Sequence, residues 1–152
     1  YSESFELLQD PRTTTTKEDF EAQLNLLLSI RDRFIDARRV LSQITKIEDK
    51  ILEAEGGDGL SEYLPHISNS KEEALLKLRQ LRLKLSGVSR RGQTSERNPS
   101  GIADMLEALF PVVSSSDSRP TRQAYEVFKV LSDRLDDHLR LVDSVIQASM
   151  DP

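Results

Sequence analysis

Apolar residues recur in steps of three and four along most of the chain. Phe20, Leu24, Leu27, Ile30, Phe34, Ala37, Leu41, Ile44, Ile47 and Ile51 form one such series. This period predicts one helix of about 35 residues, or about 50 Å, with a single apolar face. Its start is marked by Thr15 with Glu18 three positions on, a capping-box pattern, and by Asp19, whose charge suits a helix N-terminus. Gly56 and Gly57 mark its end. The stretch "GGDGLSEYLPHISN" then reads as a linker, with Pro65 opposing helix through its centre. In this reading Leu60, Tyr63, Leu64 and Ile67 tuck back over one end of the fold.

A second capping box, Ser70 with Glu73, opens a helix to about Ser86 that carries Leu75, Leu78, Leu81 and Leu85 on one stripe. Gly87 closes it, and the polar "GVSRRGQTSERN" that follows predicts a flexible loop. Asn98-Pro99 reads as an N-cap and first helical residue of a short third helix. That helix presents Ile102, Met105, Leu106, Leu109 and Phe110, and Pro111 is expected to end it. Thr121, after Pro120, caps a last long helix with Ala124, Phe128, Leu131, Leu135, Leu139, Val142 and Ile146 on one face. Its charged residues, Glu126, Lys129, Asp133, Arg134, Asp136, Asp137 and Arg140, fall mainly on the other.

Four amphipathic helices bury their stripes only against one another, which predicts an all-α antiparallel bundle of three to four helices, two of them long. Residues 16–152 are expected to form that single domain. Residues 1–15, ending near the turn-forming Asp10-Pro11, are expected to form an extended lead-in from an upstream domain. The opening on Tyr1 rather than Met, with no signal peptide, predicts a piece of something longer.

Composition narrows the function classes. A net charge of −5 speaks against nucleic acid, whose binding needs a concentrated basic face. Without cysteine there is no thiolate zinc site, disulfide or cysteine nucleophile. No apolar run approaches the roughly 20 residues of a membrane span. Trp is absent, so the core must be built mostly from Leu, Ile, Val and Ala.

Candidate chemistry is sparse. His66 stands beside Pro65 and His138 in the last helix, and neither has a ligand-spaced or nucleophile partner. The acidic "IEDKILEAEGGDG" lacks the register of a calcium loop and reads as a solvated helix end. No Glu has a His three positions on, as a di-iron bundle requires. Six glycines form neither a P-loop nor a dinucleotide fingerprint. No catalytic, metal-binding or cofactor-binding residue and no cofactor is therefore expected within this chain. Candidate contact residues are the basic Arg90, Arg91 and Arg97, and the apolar Leu60, Tyr63 and Leu64. The long first helix also outruns its shorter partners, and an uncovered stripe would mark an interface.

Three stretches carry a resemblance: "FELLQDPR" (5–12), "DFEAQLNLLLSIRDR" (19–33) and "DSRPTRQAYEVFKVLSDRLDDHLRLVDSVI" (117–146). Together they resemble the C-terminal helical region of large bacterial exported β-propeller proteins with sortilin-like or BNR (sialidase-type) repeats, often labelled glycosyl hydrolase-like. The most distinctive phrase runs from Pro120 to Asp136, whereas residues 55–97 depart from the family in length and wording. The resemblance implies a noncatalytic accessory module that follows a propeller and braces it or mediates assembly. It also implies an exported, periplasmic or extracellular, chain. The partners it points to are the upstream propeller of the same chain and a second copy. The competing readings are an independent protein-binding adaptor, and a part of a glycan-related hydrolase whose active site lies in the propeller.

Overall fold

A computed structural model describes residues 2–5, 12, 14–55, 65–87 and 101–150, with side chains described for 2–5, 12, 14–53, 72–87 and 101–145. The described residues form an all-α bundle of four helices: α1 (Lys17–Glu55), α2 (Pro65–Ser86), α3 (Ile102–Ser114) and α4 (Arg122–Met150). Among the described residues none is in a strand. No helix among the described residues is long and apolar enough to cross a membrane.

The helices form three columns. Asp19 faces Arg119 across 3.9 Å, the Tyr125 hydroxyl donates to the Ala22 carbonyl at 3.5 Å, and Arg33 meets Asp136 at 2.5 Å. Residue numbers rise together in these pairs, so α1 and α4 run parallel. The Gln23 amide donates to the carbonyls of Val113 and Ser116 at 2.8 and 2.6 Å, which sets the end of α3 beside the start of α1. Arg82 meets Glu48 at 2.8 Å, which sets α2 beside the far half of α1. Both middle helices therefore descend antiparallel to α1, one after the other. Their 22 and 13 residues, laid end to end, come within about a turn of the 39 of α1. The whole is an up-down-up bundle whose middle column is interrupted.

The core runs the length of these columns. Leu26, Ile30, Ala37, Val40 and Ile44 of α1 meet Leu78, Leu81 and Leu85 of α2, Leu106, Leu109 and Val113 of α3, and Leu131, Leu135 and Val142 of α4. For α4 the sequence stripe and the buried face coincide from Ala124 to Val142. For α1 the stripe is rotated. Leu24 is 55% exposed, while Leu26 and Val40, outside the periodic series, are buried. A helix packed on three neighbours buries a broad arc, and its centre is set by where they sit rather than by its own strongest stripe.

Four boundaries differ from those expected. The cap of α1 is Thr16, one residue later than the Thr15 and Glu18 pattern. Its hydroxyl accepts from the Asp19 amide at 3.2 Å, and the Asp19 carboxylate accepts from the Thr16 amide at 3.3 Å. Aspartate thus closes the box in place of glutamate. Thr15 instead donates its hydroxyl to the Asp117 carbonyl. The second helix begins at Pro65, so Ser70 and Glu73 lie inside it and His66 falls in its first turn rather than in a loop. Proline lacks only a donor that the first turn leaves unused. Pro111 likewise does not end α3, which continues to Ser114. Both Pro111 and Glu107, whose carbonyl loses its helical donor, are exposed, so the proline falls on the solvent side of the helix, where it costs least. The N-cap of α3 is Gly101, with no side-chain bond, rather than Asn98, which lies outside the described residues. The last cap is as expected: the Thr121 hydroxyl accepts from the Ala124 amide at 3.2 Å.

Gly101 explains how the middle column is joined. A Cβ built on it falls 2.1 Å from the Gly87 nitrogen and 2.4 Å from the Leu85 oxygen. The two ends of the interruption are in backbone contact. Gly87 there takes φ 66°, the left-handed conformation that ends a helix and favours glycine. The buried positions also keep phase across the gap. Leu78, Leu81 and Leu85 are followed by Ile102, Leu106, Leu109 and Val113. The interval of 17 from Leu85 to Ile102 is two heptads plus three, so the alternation of three and four resumes in step.

In a shortened chain joining Gly87 directly to Ile102, with the 14 residues 88–101 removed, Gly87 must return to a helical φ, which glycine permits, and the two stripes then run on in step. This chain is expected to fold cooperatively with its helicity intact. Removing only 89–100 leaves two residues too many and turns the α3 face by about 200° if the helix continues. That variant should lose its sharp melting transition. Equal behaviour of the two variants by circular dichroism would refute the in-phase reading.

Candidate functional site

The six contact candidates read from the sequence, Leu60, Tyr63, Leu64, Arg90, Arg91 and Arg97, lie outside the described residues. What the structure does assemble is a groove of about 420 Å³ between α1 and α3. Its floor is Ile30 and Leu106, both buried. Phe34, Phe110 and Pro111 wall it, and Arg31 and Glu107 stand on opposite lips. Helical spacing lays out each wall: Ile30 and Phe34 are one turn apart on α1, as are Leu106 and Phe110 on α3.

The apolar surface continues beyond the groove. On α1, Leu24, Leu28 and Ile35 follow at four and seven residues, and all are exposed. On α3, Phe110 is 42% exposed. Leucine, isoleucine and phenylalanine occur singly on most protein surfaces, but a cluster around a concave, dry floor is the kind that marks a contact surface. Arg38 adds to it, its guanidinium 5.5 Å from the centroid of the Phe34 ring. Sequence reading missed this site because its residues come from the margins of two stripes. Leu24 and Phe110 were both placed on core faces, and Leu28 and Ile35 fell outside them. The only available signal was an apolar excess on α1, too wide for a single contact face.

A second, shallower depression at the start of α4 is lined by Arg119, Pro120, Arg122, Tyr125, Glu126 and Lys129. Each cation there has a carboxylate: Arg119 has Asp19 at 3.9 Å, Arg122 has Glu126 at 2.7 Å and Lys129 has Asp133 at 2.7 Å. The last pair holds the Lys129 ammonium above its usual range, through the hydrogen bond first and the charge second. Lys77 holds the Glu73 carboxyl below its usual range in the same way. The Arg122, Lys129 and Lys77 pairs are exposed, each along a single helix, and report solvated faces.

The acidic stretch at the end of α1 is not wholly a solvated helix end, as the sequence suggested. Glu48 is only 6% exposed, with one oxygen on Arg82 and the other buried without a hydrogen-bond partner. It follows Ile44 by four residues, in phase with the core. A charge at such a place costs desolvation and is retained only with its partner, so the pair fixes the height of α2 on α1. His138 sits at the bundle edge, its Nδ1 donating to the Arg134 carbonyl at 2.6 Å within the same helix. Among the described residues no three His, Cys, Asp or Glu side chains cluster as metal ligands. No protein-family model, no curated protein and no solved structure matches this chain.

Proposed function

We propose that the domain is a noncatalytic helical interaction module that docks through its α1–α3 face. The observation that carries this reading is the groove itself, with a buried apolar floor and aromatic walls that include the exposed Phe110; Leu28 and Ile35 are exposed elsewhere on the same α1 helix. Such a surface suits an apolar or helical partner laid along it. Its place behind an exported β-propeller, which it would brace or help to assemble, rests on the wording of residues 5–12, 19–33 and 117–146 alone. The independent adaptor uses the same face and differs only in which protein it meets. A glycosidase needs two carboxyl groups about 5–10 Å apart across a cleft. The groove residues include a single carboxylate, Glu107, which favours the interaction reading.

A photoreactive phenylalanine analogue tests the face directly. Placed at Leu28 or Phe110 and irradiated in the protein's own cells, it is expected to give a discrete adduct of higher mass. At Asp133, exposed on α4, it should give none. Adducts at all three positions, or at none, would sink the proposal.

A further inference from the structure

We infer that the occupant of the α1–α3 groove is a second copy of this chain, related by a two-fold axis running along the groove. The inference deepens the docking proposal above and rests on it.

The lips carry the information. Arg31 stands on the α1 side and Glu107 on the α3 side of the same groove, yet the two form no ion pair with each other. Arg31 reaches only its neighbour Asp32, at 2.7 Å, and more than half of its side chain remains exposed. Glu107 is exposed and has no ion-pair partner among the described residues. A groove with one lip positive and the other negative is complementary to itself under one operation. A two-fold rotation about the groove direction carries α1 of one copy over α3 of the other at unchanged height. Arg31 of each copy then faces Glu107 of its mate, twice per dimer. A two-fold axis lying across the groove instead sets each α1 over its counterpart, and facing like charges are disfavoured.

The apolar residues keep the same spacing. Leu28 lies three residues before Arg31, and Phe110 lies three after Glu107. Because α1 and α3 are antiparallel, both steps lead to the same end of the groove, each by about 4.5 Å. Matching Arg31 to the mate's Glu107 therefore also sets Leu28 over the mate's Phe110 and Pro111. Charge and shape thus select one register. The ion pairs are at the rim and set orientation, while the covered leucine, phenylalanine and proline supply most of the attraction.

Sedimentation velocity on the chain tests this across a roughly hundredfold range of concentration, since a dimer dissociates on dilution by mass action. The wild type is expected to pass from monomer to dimer. Arg31→Glu and Glu107→Arg should each weaken association about tenfold or more, because each creates two like-charge pairs per interface. The double variant Arg31→Glu, Glu107→Arg should recover dimerisation. Both side chains are exposed, so unchanged helical dichroism and melting in every variant will show that folding is not at issue. A monomer at all concentrations, or a double variant no better than either single one, overturns the inference. The crosslinks separate the two levels: adducts at Leu28 to a different protein retain the docking face and remove the second copy, and no adduct at all removes both.

Discussion

Leu131→Asp is expected to unfold the domain. Leu131 is 4% exposed and belongs to the central cluster, between Ala124 and Leu135 on the buried face of α4. The substitution forfeits the burial of a leucine, about 2–3 kcal/mol. It also places a carboxylate where the neighbours are apolar, and an uncompensated buried charge costs about 3–5 kcal/mol. Together these rival the whole stability of a typical domain, about 5–15 kcal/mol. Circular dichroism should therefore show loss of most helicity at room temperature. Leu131→Ala keeps the cavity cost without the charge, about 2–5 kcal/mol, and should remain folded with a lower melting temperature. Melting of the aspartate variant within a few degrees of wild type would mean that the α4 stripe is not core.

Gly101→Ala is expected to have the next largest effect, and for a different reason. The backbone of Gly101 has φ −71°, which any residue adopts, so its requirement for glycine is one of space. The added methyl would sit 2.1 Å from the Gly87 nitrogen and 2.4 Å from the Leu85 oxygen and the Ser86 carbonyl carbon. These are backbone atoms at the end of a packed helix and do not rotate away as a side chain would. The start of α3 must part from the end of α2, which disturbs Leu85 and Ile102, both fully or nearly fully buried. Forced overpacking of this kind costs about 1–3 kcal/mol, and the upper half of that range is expected here. At this chain length it corresponds to a fall in melting temperature of roughly 5–10 °C. Gly87→Ala should cost about 1–2 kcal/mol through its left-handed backbone rather than through a clash. An alanine at 101 with unchanged melting would show that the two helix ends are not held together.

Much of the fold could be read without coordinates. Steps of three and four marked all four helices, and Thr121 was legible as a cap because a hydroxyl three residues before a free amide is a local relation. Proline was the less reliable punctuation. Pro65 and Pro111 looked like breaks, but one sits where its missing donor is not needed and the other on the exposed side of its helix. The site was largely illegible. Leu28 and Ile35 are unremarkable in a helix rich in apolar residues, and the groove of Ile30, Phe34, Leu106 and Phe110 exists only because α3 lies beside α1. Glu48 was misplaced because charge predicts exposure on average, and its burial depends on Arg82 arriving from another helix.

By itself the sequence determined what is local or periodic: a bundle of three to four amphipathic helices, the buried face of α4, the all-α class and the absence of a cysteine or a paired-histidine centre. Tertiary structure alone decided which edges of the wide α1 face are covered, that α2 and α3 share one column, and that Gly87 and Gly101 meet at its joint. The division has a simple cause. Helix period and capping act over three or four residues and are written along the chain, whereas a groove, a buried ion pair and a backbone contact join residues 14 to 103 positions apart and exist only once the columns have packed.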